Sequence, residues 1–394
     1  MTALDDDDRS VRPLRLALVC AERSGDLLGS RLLMALRSRW PDLQAQGIGG
    51  PAMQAQGMQA RWSCDALSVR GLVEALARLR SITGIRRALL AQLQAQPPDV
   101  FIGIDASDFN LPLQQALRAQ GVPTVQLVCP SIWAWRPERV HRIRRSIDHV
   151  LCLYPFEPAL LAAHGIEATF IGHPVADMIP AVPDRFGARE RLGLPQDAQV
   201  VAVLPGSRPS EIRHLAQPFM QAVAQLHRER PQLRFVLPTH APLMPTLQAL
   251  RSALGLEAVL QLVSGQSHEV MAACDVAMVA SGTATLETAL HKRPVVIAYK
   301  MQWLSWQLAN RRRLVRWIGL PNILCEAGLV PELLQDQVRP EALVREVLAW
   351  LDDPARVQAL RERFEQLHQA LRRDSAALTV HAIDTLLQRR AGRA

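Results

Sequence analysis

Short apolar runs typical of strands alternate with longer segments of helical periodicity along most of the chain. Both faces of these runs are apolar, as in parallel strands that helices cover on each side of a sheet. In the first half they lie at 14–20, 99–105, 123–129, 148–154 and 168–172. This alternation predicts a doubly wound α/β domain.

The pattern breaks between Gly172 and Val200, where proline, aspartate and glycine are frequent, and then starts again. We interpret this stretch as the connection between two domains, with a structural role for His173. We predict an N-terminal domain at 1–180, a C-terminal domain at 181–374 and a final helix at 375–394 that can pack back on the first domain. Apolar runs of the second domain lie at 200–206, 234–239, 258–263, 275–281 and 294–299, and only helical periodicity follows residue 340.

Composition narrows the class of protein. The 394 residues are 49% apolar and 21% charged, which suits two globular domains. The net charge of +8 fits nucleic acid, an anionic membrane surface or a phosphorylated ligand without choosing among them. Six cysteines without a CxxC pair favour reduced cytosolic thiols. An acidic N-terminus and the lack of an apolar run of about 18 residues predict a chain that is neither exported nor membrane-spanning.

Candidate ligand-binding residues follow the strands at their carboxyl ends, where open α/β sheets bind ligands. Glu22, Ser24 and Asp26 follow the first strand and lead into a helix. We exclude nicotinamide and flavin binding, because GxGxxG is absent and the acidic residues would repel a pyrophosphate. Ser24 or Asp26 is a candidate helix N-cap, and all three residues are candidates for holding sugar hydroxyls.

Asp105 ends the predicted strand at 99–105 and is our candidate general base. A carboxylate in this position can face the cleft and accept a proton from a hydroxyl. Asp108 and Asn110 lie just beyond it and are alternatively caps of the next helix. Asp108 and Glu22 also remain open as alternative bases.

Two turns of the second domain predict a site for a nucleotide diphosphate. Small residues and the start of a helix allow the backbone to approach an anion closely, and an arginine offers a planar fork of donors. The first turn holds Gly206, Ser207 and Arg208, and the second holds Ser281, Gly282 and Thr283, with Glu287 one turn later for the ribose hydroxyls. No DxD motif ends an apolar strand, so we expect no metal and no cofactor, with Arg208 and helix N-termini neutralising the leaving group.

Two stretches mix apolar and cationic residues in the way that favours an anionic membrane surface. For the first, a basic amphipathic helix packed on its own domain is the alternative. Residues 69–90 carry Leu72, Val73, Leu76 and Leu79 at helical spacing among Arg70, Arg78, Arg80, Arg86 and Arg87. Residues 302–317 carry Trp303, Trp306 and Trp317 beside Arg311, Arg312, Arg313 and Arg316.

Several motifs together resemble the bacterial lipid-A-disaccharide synthase family across nearly the whole chain. They are, in order, AERSGDLLG, GIDASDFN, SIWAWRPERV, IGHPVAD, LPGSRPSEI, ASGTATLE and LPNIL. The family commonly has GE-SGD and DAPDFN where this chain has AERSGD and DASDFN. These departures concern loop geometry and the fine positioning of the acceptor.

The resemblance implies a GT-B glycosyltransferase with two Rossmann-like domains facing a central cleft. It would join UDP-2,3-diacylglucosamine to 2,3-diacylglucosamine 1-phosphate (lipid X) with inversion, giving a β-1,6-linked disaccharide and UDP. By motif, Asp105 matches the family's candidate base, and Asn322 matches a residue lining the cleft. The matches to its UDP site are Arg208, Gly282, Thr283 and Glu287.

The resemblance also implies a protein peripheral on the cytoplasmic face of the inner membrane and a homodimer with exchanged C-terminal parts. Another GT-B enzyme, such as a UDP-N-acetylglucosamine 2-epimerase, is the alternative. Nucleic-acid binding is a more distant one, since no aromatic RNA-binding motif supports it.

The segment CPSIWAWRPERV at 129–140 is the densest aromatic cluster in a chain with 5% aromatic residues. It follows a predicted strand, so we expect it at the cleft. Trp133 and Trp135 would point to opposite sides of an extended segment, one inward and one towards the cleft. Arg136 and Arg139 are then candidates for binding the 1-phosphate of the acceptor.

Overall fold

The computed structural model describes residues 12–67 and 72–391, without the side chains of 72–78, 304, 390 and 391. Its first sheet contains seven parallel strands in the order β3-β2-β1-β4-β5-β6-β7. These strands are β1 (Arg15–Val19), β2 (Gln44–Gly49), β3 (Gln59–Ser63), β4 (Val100–Ile104), β5 (Thr124–Leu127), β6 (His149–Cys152) and β7 (Ala168–Phe170).

The second sheet contains six parallel strands in the order β10-β9-β8-β11-β12-β13. They are β8 (Val200–Leu204), β9 (Arg234–Thr239), β10 (Leu260–Ser264), β11 (Val276–Ala280), β12 (Val295–Tyr299) and β13 (Glu332–Leu334). The prediction of two doubly wound α/β domains is confirmed, and each of the ten predicted apolar runs contains a strand.

Helices connect the strands and cover both faces of each sheet. In the first half they are α1 (Arg23–Arg39), α2 (Pro51–Ala55), α3 (Leu72–Ala95), α4 (Ser107–Ala119), α5 (Val140–Ser146) and α6 (Glu157–Ala162). The connection contains α7 (Pro174–Met178) and α8 (Arg185–Leu192). The second half has α9 (Pro209–Glu229), α10 (Met244–Ala253), α11 (Ser267–Ala273), α12 (Thr283–Leu290), α13 (Trp303–Arg311), α14 (Leu320–Leu324), α15 (Pro340–Leu351), α16 (Pro354–Leu371) and α17 (Ser375–Ala391).

The central strands form because their apolar side chains are buried on both faces. Every residue of β4, β8 and β11 is buried, and removing such surface from water is the main stabilising contribution to folding. The helices have one apolar face each, and these faces cover the two sides of the sheets. In α9, for example, Leu215, Phe219 and Leu226 line the face that packs on the second sheet.

Three strands lack the apolar runs that mark the others, and the sequence pattern did not predict them. In β2, glutamines alternate with small residues, while β3 and β13 are edge strands. Gly47 of β2 has a φ of +136°, and a Cβ atom there would lie 2.1 Å from the carbonyl oxygen of Leu18. Close backbone packing against β1, rather than burial of large side chains, therefore positions β2 in the sheet.

The chain returns to the first domain at its C-terminal end. The backbone N–H of His173 donates to the carbonyl of Leu371 at the end of α16, 2.9 Å away. The carboxylate of Asp177 accepts hydrogen bonds from the backbone N–H groups of residues 373–375, and α17 follows directly. Ala382, Ile383 and Leu386 of α17 then pack in the same core as α1.

Candidate functional site

The loops at the carboxyl ends of the two sheets meet across a cleft. Glu22, which follows β1, forms an ion pair with Arg208, which follows β8, at 3.0 Å. Farther along, the backbone N–H of Leu314 donates to the carbonyl of Ala134, 2.9 Å away. These contacts bring the candidate residues from both domains to one place, as expected for ligand binding at strand ends.

Asp105 lies directly after β4, in a strained backbone. Asp105 and Ala106 have φ angles of 50° and 43°, in the left-handed region that side chains other than glycine rarely adopt. The side-chain amides of Asn110 and Gln126 both donate to the carbonyl of Asp105, at 3.0 and 2.9 Å. Asn110 thus stabilises the backbone at Asp105, and the surrounding residues maintain its strained conformation.

Asp105 is exposed to solvent, but neighbouring protein groups partly desolvate its carboxylate. This desolvation, followed by the negative charge of Glu22, raises the pKa of Asp105, while the N–H of Ala106 and the charge of Arg208 act in the opposite direction. Glu22 and Asp108 are each engaged by an arginine. Among the three candidate bases, Asp105 is the one that forms no ion pair at contact distance within the described part of the chain.

The turn at 206–208 differs from the prediction of a phosphate cradle. A carboxylate oxygen of Glu211 accepts hydrogen bonds from the backbone N–H groups of Ser207 and Arg208, at 2.8 and 3.2 Å. Burial lowers the pKa of Arg208. The neighbouring carboxylates of Glu22, Glu211 and Asp105 outweigh this effect and raise the pKa above its usual value. The turn therefore presents a guanidinium to the cleft, and its amides are already bound.

In the second turn, no side chain occupies the backbone N–H groups at the start of the helix. Gly282 is the N-cap of α12, its φ of 164° is extended, and no side chain caps the helix. Gly282 and Thr283 are exposed. The hydroxyl of Ser281 donates to the carbonyl of Ile318 at 3.2 Å and so fixes the turn against the neighbouring loop. The first turn of α12 thus has a geometry that can bind an anion.

Glu287 lies one turn into α12, half-buried beside two histidines. Burial raises the pKa of its carboxyl, and the neighbouring His268 acts in the opposite direction. Nδ1 of His268 and Nε2 of His291 lie 3.3 Å apart. Burial, and then the charges around it, lower the pKa of His291 to about 3, so this ring is neutral at physiological pH.

The tryptophan segment at 129–140 is folded into turns rather than extended, but its two rings do diverge. Trp133 packs edge-on against Tyr154 and Phe156, with centroids 6.0 and 5.3 Å apart. Its indole N–H donates to Glu157 at 3.1 Å. Trp133 is therefore the inward ring.

Trp135 is the outward ring and is 40% exposed. The guanidinium carbons of Arg136 and Arg139 lie 4.3 and 5.4 Å from its centroid, within the range of a cation–π interaction. Arg139 also forms an ion pair with Asp108. The segment thus places two guanidinium groups against Trp135, next to the loop that carries Leu314.

Two predicted contact residues do not reach the cleft. Asp26 is buried, and its carboxylate accepts hydrogen bonds from the N–H groups of Gly50, Ala52 and Met53, at 2.8, 3.0 and 3.0 Å. It caps α2 rather than binding a sugar, because its oxygens are occupied by amides. Ser24, in contrast, is exposed in the first turn of α1.

Asn322 is fully buried behind the wall of the cleft. Its amide donates to the carbonyl of Val330 and to Glu332, and its oxygen accepts from the N–H of Val330, all within 3.0 Å. Glu332 also binds the backbone of Ile318 and Gly319. Asn322 thus shapes the loop beside Ser281 and has no free group for substrate.

Three buried groups, Cys129, Cys152 and Glu157, form the one cluster of potential metal ligands found in the described part of the chain. The carboxylate of Glu157 already accepts hydrogen bonds from Trp133 and from the N–H groups of Leu153 and Tyr154. Burial raises the pKa of Glu157 to about 7. The cluster anchors the tryptophan segment.

The two predicted membrane stretches differ in what the structure describes. Leu89 and Leu93 of α3 are buried, so the second half of this helix packs on its own domain. Leu79 is 58% exposed. Arg70 and the side chains of Leu72, Val73, Leu76 and Arg78 lie outside the described residues.

In the second stretch, Trp303, Leu308 and Leu314 are exposed by 66%, 64% and 57%. Trp306 instead packs near Tyr299. Within residues 12–67 and 72–391, no helix combines the length and apolar character needed to cross a membrane.

Sequence reasoning missed two groups that build the site. Glu211 follows Arg208 by three residues, which is the spacing of a capping box and could have indicated its contact with the backbone. Glu157 lies far from the tryptophan segment along the chain. Only the adjacency of β5 and β6 in the sheet brings it to Trp133.

Comparisons with known proteins identify the family of the chain. A family model described as lipid-A-disaccharide synthetase matches residues 16–383. A lipid-A-disaccharide synthase of Albidiferax ferrireducens is 56% identical over 380 residues, covering 95% of this chain and 98% of the relative. The corresponding protein of Verminephrobacter eiseniae is 51% identical over 380 residues, with the same shares of the two chains.

Solved structures of low sequence identity share the fold. A co-structure of S. aureus MnaA with UDP has a TM-score of 0.64 at 14% identity, covering 95% of this chain and 97% of that one. CalG4, the calicheamicin glycosyltransferase, has a TM-score of 0.62 at 16% identity, covering 96% and 99%. A UDP-GlcNAc 2-epimerase of Neisseria meningitidis has a TM-score of 0.64 at 12% identity, covering 95% and 100%. At these identities the three structures support the GT-B architecture of this chain and not an activity.

Proposed function

The chain belongs to the lipid-A-disaccharide synthetase family, and on this premise we propose how its residues carry out the reaction. The activity is glycosyl transfer from a UDP-sugar to a lipid acceptor. It joins UDP-2,3-diacylglucosamine to lipid X and forms lipid A disaccharide and UDP. We propose that residues 1–180 bind the acceptor, residues 181–374 bind the donor, and the helix of 375–394 belongs with the first domain.

The donor's diphosphate binds at the start of α12, with Arg208 opposite. The uncapped first turn at Gly282 and Thr283 supplies backbone N–H groups and the positive end of the helix dipole. Arg208 supplies a planar guanidinium from the neighbouring strand end. The half-buried carboxylate of Glu287, one turn later, is suited to hydrogen bonds with the ribose hydroxyls.

Asp105 acts as the general base. It takes the proton of the acceptor's 6-hydroxyl as that oxygen attacks the anomeric carbon of the donor. The new C–O bond forms as the bond to the diphosphate breaks, so one displacement inverts the α-linkage to β. The charge that develops on UDP is taken up by Arg208 and α12.

The observation that carries this assignment is the meeting of Asp105, Glu22 and Arg208 across the cleft. A proton acceptor from one domain and an anion-binding group from the other then flank the position of the bond that breaks.

The acceptor's 1-phosphate binds at Arg136 and Arg139. Both guanidinium groups are held against the ring of Trp135, which limits their rotamer freedom before a ligand arrives. Exposed Glu22 and Ser24 lie at the same strand ends and are suited to contacts with sugar hydroxyls.

An anionic membrane surface is the proposed partner beside the cleft. Trp135, Leu314, Trp303 and Leu308 are exposed apolar groups from both domains, and arginines lie among them. Such a mixture favours an interface between water and anionic lipid. We place the protein on the cytoplasmic face of the inner membrane, as a homodimer, in keeping with the family resemblance.

The decisive experiment combines the purified protein with UDP-diacylglucosamine and lipid X and measures disaccharide and UDP, with and without chelator. Asp105→Asn should reduce turnover by about a hundredfold to ten-thousandfold, which is the contribution of a general base. UDP affinity should stay within about twofold, because Asp105 does not hold the diphosphate.

Near-native turnover of Asp105→Asn would remove Asp105 from the role of base. Release of an epimerised sugar without disaccharide would instead overturn the proposed reaction.

A further inference from the structure

The turn at 206–208 has the sequence of a phosphate-binding loop, yet its backbone amides are already bound by the protein. Oε2 of Glu211 lies 2.8 Å from the N atom of Ser207 and 3.2 Å from that of Arg208. Oε1 lies 3.4 Å from Nη1 of Arg208. We propose that Glu211 is a positioning residue, which holds the guanidinium of Arg208 ready for the donor's diphosphate. The inference rests on the donor site proposed above.

Gly206 supports this assignment independently. Its φ is +122°, and a Cβ atom there would lie 2.4 Å from both Cβ and Oε2 of Glu211. Contacts of this kind essentially never occur, so the absence of a side chain at 206 makes the room that the Glu211 carboxylate fills. The glycine that looks like a phosphate contact in the sequence instead accommodates an internal carboxylate.

The arrangement of charges explains why Arg208 needs such a partner. Its long side chain is 61% exposed and pairs across the cleft with Glu22, which belongs to the other domain. Glu211 comes from the same turn as Arg208, and its side chain is 24% exposed. When the diphosphate replaces Glu22 as the partner of Arg208, Glu211 keeps the guanidinium oriented and reduces the side-chain freedom that binding would otherwise remove.

One consequence concerns where the diphosphate finds its amide donors. The amides of Ser207 and Arg208 are engaged, whereas the start of α12 has no side-chain cap. The diphosphate therefore receives backbone N–H groups from Gly282 and Thr283 and a guanidinium from Arg208. The two similar turns have different tasks.

A capping box alone would also place a glutamate here, and the experiment must separate the two roles. A purely structural cap affects stability, whereas a positioning residue affects donor binding specifically. We compare Glu211→Ala and Glu211→Gln with Asp184→Ala as the control. Asp184 caps α8 through the N–H of Gly187 at 2.8 Å and plays no part in the site.

For each variant, calorimetry measures UDP affinity, and thermal unfolding measures Tm. Steady-state kinetics with varied donor and acceptor give kcat and the two KM values. Glu211→Ala should weaken UDP binding and raise the donor KM about tenfold, the scale of one charge-assisted hydrogen bond. The acceptor KM should not change. Glu211→Gln keeps an acceptor oxygen for the amides but loses the charge, and should weaken UDP binding about threefold. Asp184→Ala should lower Tm to a similar extent without changing UDP affinity.

A second comparison tests the role of Gly206. Gly206→Ala should weaken UDP binding in the native background and have a smaller effect when Glu211→Gly is also present, because this change removes both the Cβ atom and the carboxylate that a side chain at 206 would meet. Equal effects in both backgrounds would contradict the packing argument.

Unchanged UDP affinity in a folded Glu211→Ala variant would overturn the positioning role. Tighter binding would also overturn it, since the carboxylate would then occupy a place that the diphosphate uses. Arg208→Ala distinguishes this failure from that of the donor site. If Arg208→Ala weakens UDP binding and Glu211→Ala does not, only the inference on Glu211 fails. If neither does, the proposed donor site fails.

Discussion

At the scale of single residues, the site depends on groups that support the reacting ones. Asp105 occupies a strained backbone, and two buried amides, Asn110 and Gln126, bind its carbonyl. Such strain persists only where the surroundings hold it, and it is concentrated at functional sites. The environment of its carboxylate then sets the pH at which it can accept a proton.

Replacing Glu22 by Gln should move the pH dependence of the reaction in a defined direction. The negative charge of Glu22 is the second cause, after burial, that raises the pKa of Asp105. A general base must be deprotonated, so activity increases with pH through this pKa. Glu22→Gln lowers the pKa, and the acid limb of the kcat/KM profile should shift to lower pH.

The profile is measured alongside Glu229→Gln, a surface change at the end of α9 that should leave the acid limb in place. An unmoved or upward-shifted acid limb in Glu22→Gln would mean that Asp105 and Glu22 are not coupled during turnover.

At the scale of elements, helix starts have two distinct uses in the C-terminal domain. At the start of α9, the carboxylate of Glu211 accepts hydrogen bonds from the backbone N–H groups, whereas no side chain caps the start of α12. Both follow buried central strands, so both lie at the same edge of the second sheet. The difference arises from a single carboxylate, which occupies the amides in one turn and is absent from the other.

Thr283→Asp should affect stability and binding with opposite signs. A negative charge in the first turn of α12 interacts favourably with the helix dipole, by about 0.5 kcal/mol. The same charge repels the diphosphate, and we expect UDP affinity to fall by at least about tenfold. Thr283→Asn, of the same shape without the charge, should change UDP affinity by no more than about threefold.

Thermal unfolding and UDP titration of the two variants check this prediction. Equal UDP affinities for the Asp and Asn variants would place the diphosphate elsewhere.

At the scale of the whole molecule, two domains contribute different chemistry to one cleft. Polar contacts cross it, such as Glu22 with Arg208 and the backbone bond between Leu314 and Ala134. The second of these also brings the exposed Trp135 next to the loop after α13. An apolar and cationic surface formed by both domains thus borders the place where a lipid acceptor would enter.

Replacing Trp303, Leu308 and Leu314 together by serine should weaken binding of the protein to vesicles of anionic phospholipid by at least about tenfold. The reason is the loss of three exposed apolar side chains, each of which contributes about 1.5–3 kcal/mol when fully buried. Turnover of substrates dispersed in detergent should be retained.

The matched control is a variant in which serine replaces Val182 and Phe186. These two residues lie on the connection between the domains and are 84% and 66% exposed. Vesicle sedimentation measures the binding. Equal losses in both variants would contradict a specific membrane surface at 302–317.

Sequence patterns were most informative where burial is complete. Continuous apolar runs identified the central strands, since only a strand covered on both faces tolerates such a run. They did not identify β2, β3 and β13, which are short of large apolar residues. The positions of Asp105, Arg208 and Thr283 followed from the same logic, because strand ends are recognisable once the strands are.

The sequence by itself determined the two-domain α/β architecture, the family and the strand ends that carry the candidate chemistry, because these depend on local patterning and short motifs. Only the tertiary structure decided which side chains reach the cleft. Asp26 and Asn322 carry polar groups at suitable places in the chain, but other groups of the folded protein occupy them. The tertiary structure also decided that Trp133 points inward and Trp135 outward, since the contact of Trp133 with Glu157 depends on the adjacency of β5 and β6 in the sheet.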